Sequence, residues 1–512
     1  MRALAMVAEV TRERSGGAIV SLIDQLNRHG DPYVAELLGT LVHAAATPLF
    51  EIMSRWATTG ELEDLHGEFF IEEIRADGSP LAALSWSDQF VLRPERVPTC
   101  ITEALAQRIY NLGRSVGFIR RFGDRPKWAL KDNGNAVDIV YCDGIKLEGT
   151  IDRLAQAIHK RLVRVVLDQH RVVDHLRAAK DYLLMGQGDF VQSLMDLVFV
   201  ELSRPAADIS RHHLTSLLDS AIRSSTAQYD LQPCVQRLQV RLLQSSPADV
   251  GWDVFTLDYR TDDAPLSLLF PSEIRTAYLQ IFRFMFRLKR IEHCLSDTWI
   301  RHNTDAARLA TLPELARLFH RGHTIRHEMV QLVQNLTQFV KYDVVEDCWL
   351  ALGSDIEQAT DLDEIISAHK LYSTRLKDKL FLSGRQLPLQ EPLSKLCDCI
   401  LRFTTVQLRL HDAAIEELAL RKYSSEAVSA SRSASTQRVM ALAARFQPQL
   451  DQLADTYRDN LLQFLGMFEV NDLTFLGLRL DSNGYYAALK LGAVKTFDED
   501  DLLLQDLEGI PS

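Results

Sequence analysis

The sequence has little of what membrane, secreted and catalytic proteins rely on. No uninterrupted apolar run reaches the roughly 20 residues that carry a helix across a bilayer, and the opening MRALAMVAEVTRER lacks the apolar centre of a signal peptide. A soluble, intracellular protein with no membrane partner is therefore expected. Seven cysteines, an odd number scattered over 512 residues, make no disulfide framework and suit a reducing compartment such as the cytoplasm. Basic charge is also short: 57 Lys and Arg against 69 Asp and Glu leave a net charge of −12, the wrong sign for a general nucleic-acid binder. With only 16 prolines and 24 glycines, few long irregular stretches are expected.

Catalytic signatures are missing in the same way. There is no GxSxG elbow, kinase set or dinucleotide turn. The glycine pair of MGQGDF (185–190) has neither a third glycine nor a Gly-Lys-Ser/Thr continuation, so it reads as a turn, with Asp189 capping the next helix. His323 and His327 are four apart with His320 one turn earlier, a spacing that suits zinc, but HEMVQ lacks the second histidine of a zincin and no distant acidic ligand stands out. Cys397 and Cys399 are two apart and diverge on a helix, so they are no CxxC pair. Glu61, Glu63, Asp64 and Glu68 read as solvated turn carboxylates, because nothing sets two of them around one cavity. No catalytic residue, metal or cofactor is expected.

What is present is helix. Leu, Ala, Arg, Glu and Gln dominate many windows, which favours a mostly all-α protein with a few short strands, and the length suits two domains. A helix ends near Gly60, another covers 104–120, and one long helix is expected over 151–184. Further helices are expected at 312–319, 324–345, 362–380, 393–421 and 439–468. The small, polar segment 424–437 is expected to be a loop, 137–141 a short strand, and the acidic 497–508 either a surface helix or a tail.

Trp252 to Arg301 organises the rest. Val254, Thr256 and Asp258 alternate with Phe255, Leu257 and Tyr259, the period of a strand. Pro271-Ser272 then starts a helix with Ser272 as N-cap, on which Ile274, Tyr278, Ile281, Phe282, Met285, Leu288, Leu295 and Trp299 share one side. Arg283, Arg287 and Arg290 share the opposite side, and a solvated face is the plain reading of that stripe.

A strand reading LDY, a proline break and a helix carrying aromatic and arginine positions up to a Trp resemble a motif of the gamma-tubulin complex proteins. GWDVFTLDY and RLKRIEHCLSDTW are most similar to the third-component branch of that family. Trp56 to Glu73 resembles its first motif, with Leu65-His66 where Pro-Tyr is common. LGRSVGFIRRFG, HEMVQLVQNLTQFVKYDVVEDCW and LTFLGLRLDSNGYY carry further likenesses, in order along the chain.

The resemblance implies an elongated stack of helical bundles and a non-catalytic scaffold that holds gamma-tubulin and templates microtubule nucleation at a microtubule-organising centre, the centrosome or spindle pole. It divides the chain into a lateral-assembly domain, 1–185, and a gamma-tubulin-binding domain, 186–512. Partners implied are gamma-tubulin and other complex proteins, a second-component type as lateral neighbour. Candidates for gamma-tubulin contact are Arg283, Arg287, Arg290, Arg479, Asp481 and Tyr485; Arg479 and Asp481 read equally as a structural pair. Candidates for lateral assembly are Trp56, Glu61, Glu68 and Phe69. Phe282, Phe286 and Trp299 are expected in the core, and reversal of Arg287 is expected to spare stability. Relatives of the third-component type carry more sequence before the first motif, a segment nearly absent here. A helical adaptor without tubulin contact accounts for amphipathic helices alone equally well, and a metalloenzyme using His323 and His327 is the third reading.

Overall fold

The computed structural model describes Val7, Glu9, Arg12 and residues 15–490, except 28–31, 75–88, 124–130, 133–134, 137–138, 140–143, 245, 247–248, 262–265, 360–361, 425–428, 469–473 and 482–483. Most of residues 137–141 and all of 497–508 lie outside the described residues. Among the described residues the α-helices of six residues or more are α1 (Gly17–Asn27), α2 (Pro32–Thr59), α3 (Glu103–Phe122), α4 (Gly144–Val163), α5 (Val172–Ala178), α6 (Gly188–Leu202), α7 (Arg211–Ser224), α8 (Ser272–Thr304), α9 (Ala316–Gln338), α10 (Asp347–Gln358), α11 (Leu362–Lys379), α12 (Leu387–Ser424), α13 (Ser429–Gly466), α14 (Thr474–Leu480) and α15 (Tyr485–Lys490). Three antiparallel two-stranded ladders join β1 (Ile71–Glu73) to β2 (Phe90–Leu92), β3 (Lys131–Asp132) to β4 (Asn135–Ala136), and β5 (Leu238–Leu242) to β6 (Phe255–Tyr259). The protein is mostly helical, as expected.

Two compact units emerge, and neither is a simple half of the chain. The first holds residues 1–178, 260–275 and 352–371; the second holds 179–259, 276–351 and 372–512. In the first, α2 packs between α1 and α3. By length and composition α2 is apolar enough to cross a membrane, which corrects the expectation that no segment approaches that length. Its buried Leu38, Val42, Ala46, Leu49, Phe50, Met53, Trp56 and Ala57 recur at helical spacing, the stripe of a helix packed on protein neighbours. The helix stops at Gly60, whose φ of +67° and N–H bond to the Trp56 carbonyl make the expected left-handed C′ position. A Cβ on Gly113 would stand 2.1 Å from the Trp56 ring, and one on Gly60 2.4 Å from the Gly117 nitrogen. The two glycines of α3 thus admit, respectively, an indole and a neighbouring backbone. Thr102 caps α3, its hydroxyl accepting from the Leu105 N–H at 3.3 Å.

The single helix expected over 151–184 is instead broken. α4 passes into a π-helical turn, Arg164–Gln169, and Arg171 takes a φ of 47° before α5 begins. No glycine or proline marks that break.

In the second unit, β5 and β6 pair in the register Leu238↔Tyr259 through Leu242↔Phe255. All five β6 residues are buried, so the alternation in the sequence does not separate a wet face from a dry one. Asp258 is kept there by Arg241 at 3.4 Å. The Arg275 N–H bonds the Pro271 carbonyl, so Pro271 occupies the cap position and Ser272 opens α8, one residue from expectation. Asp189 does not cap α6: its carboxylate accepts from the Thr226 N–H at 2.6 Å and hydroxyl at 2.7 Å, which lowers its pKa. α12 and α13 form a long antiparallel hairpin, and α13 already begins at Ser429, inside the segment expected to be a loop. Its mouth is held by Glu417, which accepts from Ser435 at 2.6 Å and from two nitrogens of Arg438 at 3.0 and 2.9 Å.

Candidate interaction surfaces

The cationic stripe of α8 is less open than its periodicity implied. Arg283 is exposed, touching only the Asp253 carbonyl at 3.3 Å among its described hydrogen bonds. Arg287 is half-buried and reaches α12, donating to the Ser394 hydroxyl at 3.0 Å, the Ser394 carbonyl at 3.2 Å and Asp398 at 2.7 Å. Arg290 lies 4.4 Å above the Trp252 ring, and burial lowers its pKa from the usual guanidinium range. The stripe is therefore one exposed guanidinium beside two that bind their own fold. This corrects the open-face reading, and the bonds of Arg287 argue against the expectation that its reversal spares stability.

Beneath the stripe the aromatic side is a real core. Phe282 and Phe286 are buried and stack at 5.2 Å, and Phe255 stands 5.3 Å from Phe286. Trp299 breaks the expectation. It is 43% exposed, with Arg326 over its ring at 4.5 Å and His323 edge-on at 5.6 Å. The helical period located its side, but the flanking Arg and His leave the indole partly in solvent.

At the far end of the described chain, Arg479 and Asp481 do not pair with each other. The Arg479 guanidinium bonds Asp343 at 2.6 Å and Gln338 at 2.9 Å, tying α14 to the chain that leaves α9. Asp481 instead accepts from the Tyr486 N–H at 3.1 Å, at the entry of α15. Tyr485 is half-exposed with its ring 5.2 Å from Tyr486.

In the first unit, Trp56 and Phe69 are 0% exposed. The Trp56 indole N–H donates to the Ile109 carbonyl at 3.0 Å. As lateral contacts both need correcting: they shape the surface from beneath and cannot touch a partner. Glu61 is exposed and paired with Arg120, while Glu68 is half-exposed. Asp64 organises the acidic turn, accepting from the Phe69 N–H at 2.8 Å and the His66 N–H at 3.2 Å.

The histidines of α9 do not form the site their spacing suggested. His323 faces Trp299 and His302, His327 is exposed, and Glu328 is bound to Arg458 at 3.2 Å. Among the described residues no three His, Cys, Asp or Glu side chains converge as a metal site. Cys397 and Cys399 are buried, and burial pushes each thiol up to about 11, away from redox reactivity. A mostly apolar cleft in the second unit is lined by Met185, Val191, Met285, Leu288 and Val340, with a Lys289–Glu292 pair at 3.1 Å beside it. Three partnerships escaped the sequence: Arg287 with Asp398, Arg479 with Asp343, and His302 with His323 and His411. Only the last left a signal, histidine in the final turn of a helix.

The two units thus offer helical surfaces held in part by internal ion pairs. The model of the gamma tubulin complex component N-terminal domain matches residues 1–169, and that of the C-terminal domain matches 172–486. The chain belongs to the gamma-tubulin complex component family. It is 32% identical over 427 residues to gamma-tubulin complex component 3 of Homo sapiens, covering 82% of this chain and 47% of that protein. It is 34% identical over 439 residues to gamma-tubulin complex component 3 of Arabidopsis thaliana, covering 82% and 52%. It is 33% identical over 403 residues to the spindle pole body component alp6 of Schizosaccharomyces pombe, covering 77% and 48%. The chain spans about half the length of these relatives.

Proposed function

We propose that this chain is a non-catalytic scaffold that binds gamma-tubulin and templates microtubule nucleation at a cytoplasmic microtubule-organising centre. The observation that carries the reading is the match of both family domains, in order, over nearly all of the chain. The names of the relatives, gamma-tubulin complex components and a spindle pole body component, support the place of action. In this reading residues 186–512 grip gamma-tubulin and residues 1–185 pack against a lateral neighbour of the second-component type. The acceleration comes from preorganisation. Each scaffold holds one gamma-tubulin at a fixed place, so a slow encounter of many bodies becomes addition to a template.

Within this reading, exposure ranks the candidate contact residues. Arg283 is the guanidinium best placed to meet an acidic tubulin surface, while Arg287 and Arg290 shape the ground beside it. Arg479 and Asp481 hold the α14–α15 region in position, and Tyr485 is the half-exposed group there. For lateral assembly, Glu61 and Glu68 supply surface and Trp56 and Phe69 supply its support. The test is gamma-tubulin binding by Arg283→Glu in the full chain. Binding weakened at least several-fold, with an unchanged unfolding midpoint, supports the assignment; unchanged binding refutes it.

A further inference from the structure

Where α8 ends, three imidazoles from three helices meet inside the second unit. His302, in the last turn of α8, is 4% exposed. Its ring lies 5.3 Å from that of His323 on α9 and 5.1 Å from that of His411 on α12, with Phe319 of α9 at 5.3 Å. Neither ring nitrogen of His302 has a partner in hydrogen-bonding geometry, although the Gln407 backbone of α12 lies near enough to interact. α9 and α12 pack closely here, at Gly322, where a Cβ would stand 2.1 Å from the Gln407 amide nitrogen.

The charges around the cluster are unevenly shared. Arg326 of α9 stands on the cationic side, and His320 of α9 acts on His323. The carboxylates sit by His411: Asp305, just after α8, is 3.2 Å from its Nε2, and Asp412 of α12 is 3.4 Å from its Nδ1. A proton on His302 would therefore create a cation in a dry pocket facing an arginine and two imidazoles, with the nearer carboxylates engaged elsewhere.

We propose that His302, packed against His323 and His411, is an acid-sensitive latch that keeps the α8–α9–α12 junction closed while His302 is neutral and releases it when His302 takes a proton. Burial first, then His323, His411 and Arg326, hold His302 down to about 4, and burial lowers His323 as well. The sign follows from the lowered value. Once the junction opens and His302 is solvated, it titrates near its ordinary value of about 6.5, so the open form binds the proton more readily. The latch is fully effective above that value and weakens as pH falls from there toward 4. For this one group, the opening constant rises about tenfold per pH unit within the window.

The experiment uses the full chain with ¹³C-labelled histidine, the His302 signal being assigned by its loss in His302→Leu. Its midpoint is expected at least one unit below the ordinary imidazole value. A midpoint near 6.5 overturns the latch, and this reading needs only the wild-type chain even if His302→Leu folds poorly and His302→Gln must serve for assignment. Amide exchange supplies the second readout, corrected for intrinsic rate. Residues 296–304 and 318–326 are expected to lose protection about tenfold or more between pH 6.5 and 5 in wild type, and less in the folded position-302 variant. Equal loss in both overturns the proposal.

Discussion

Reversing Arg287 tests whether the α8 stripe is surface or structure. Arg287→Glu removes two bonds to Ser394 and one to Asp398, and sets a carboxylate beside Asp398. Net worth is about 0.5–1.5 kcal/mol for each Ser394 bond. The Asp398 pair counts for less, under about 1 kcal/mol, because Asp398 is 56% exposed and its charge well screened. The sum is a loss of about 1–4 kcal/mol. Arg283→Glu loses one long contact and should cost less than about 1 kcal/mol. Urea unfolding of the two variants beside wild type reads the difference directly. Combining Arg287→Glu with Asp398→Arg should recover the ion-pair share but not the Ser394 bonds. If Arg287→Glu unfolds with the wild-type midpoint, the claim that this arginine fastens α8 to α12 is wrong.

Other outcomes follow from the same contacts. Gly113→Ala forces the fully buried Trp56 to move and should cost about 1–3 kcal/mol by denaturant titration, more if the indole bond to Ile109 breaks. Phe282→Ala should cost about 3–5 kcal/mol, whereas Trp299→Ala, half in solvent, should cost only about 1–2 kcal/mol; equal losses would contradict the exposure of Trp299. Arg479→Ala releases α14 from Asp343 and Gln338, so limited proteolysis should cut within α14, Thr474–Leu480, sooner than in wild type. Glu417, held below its usual pKa chiefly by its bond to Arg438, adds stability above the ordinary carboxylate value that disappears as pH falls through its lowered one. The stability gap between wild type and Glu417→Gln should accordingly narrow from pH 7 toward 3.

The parts that could be read from the sequence are those ruled by local physics. Gly60 ends α2 because the left-handed position needs no side chain, and the apolar period of α8 finds its buried side because one helix face meets a core. Long-range partnerships were illegible. Nothing near Arg479 announces Asp343, 136 residues away in sequence, and nothing near Arg287 announces Asp398. Trp299 shows the limit of periodicity, which gives the side of a helix but not how far its neighbours cover a ring. The break at Arg171 has no glycine or proline to mark it, and α13 runs through serine- and alanine-rich sequence that reads as loop. A straight cut at 185 likewise misses that 260–275 and 352–371 belong with the first compact unit, where Asp363 binds Arg114.

That discontinuity decides how the central claim is best tested. A fragment of 186–512 would carry 260–275 and 352–371 without the rest of their unit, so the full chain is the proper material. The measurement is co-purification of the full chain with gamma-tubulin, at matched concentrations, beside Arg283→Glu and a folded helical protein of similar charge. The account predicts a stoichiometric complex with the wild-type chain and a weaker one with the variant. A folded chain that fails to retain gamma-tubulin would contradict the scaffold reading and leave a helical adaptor sharing the family's architecture.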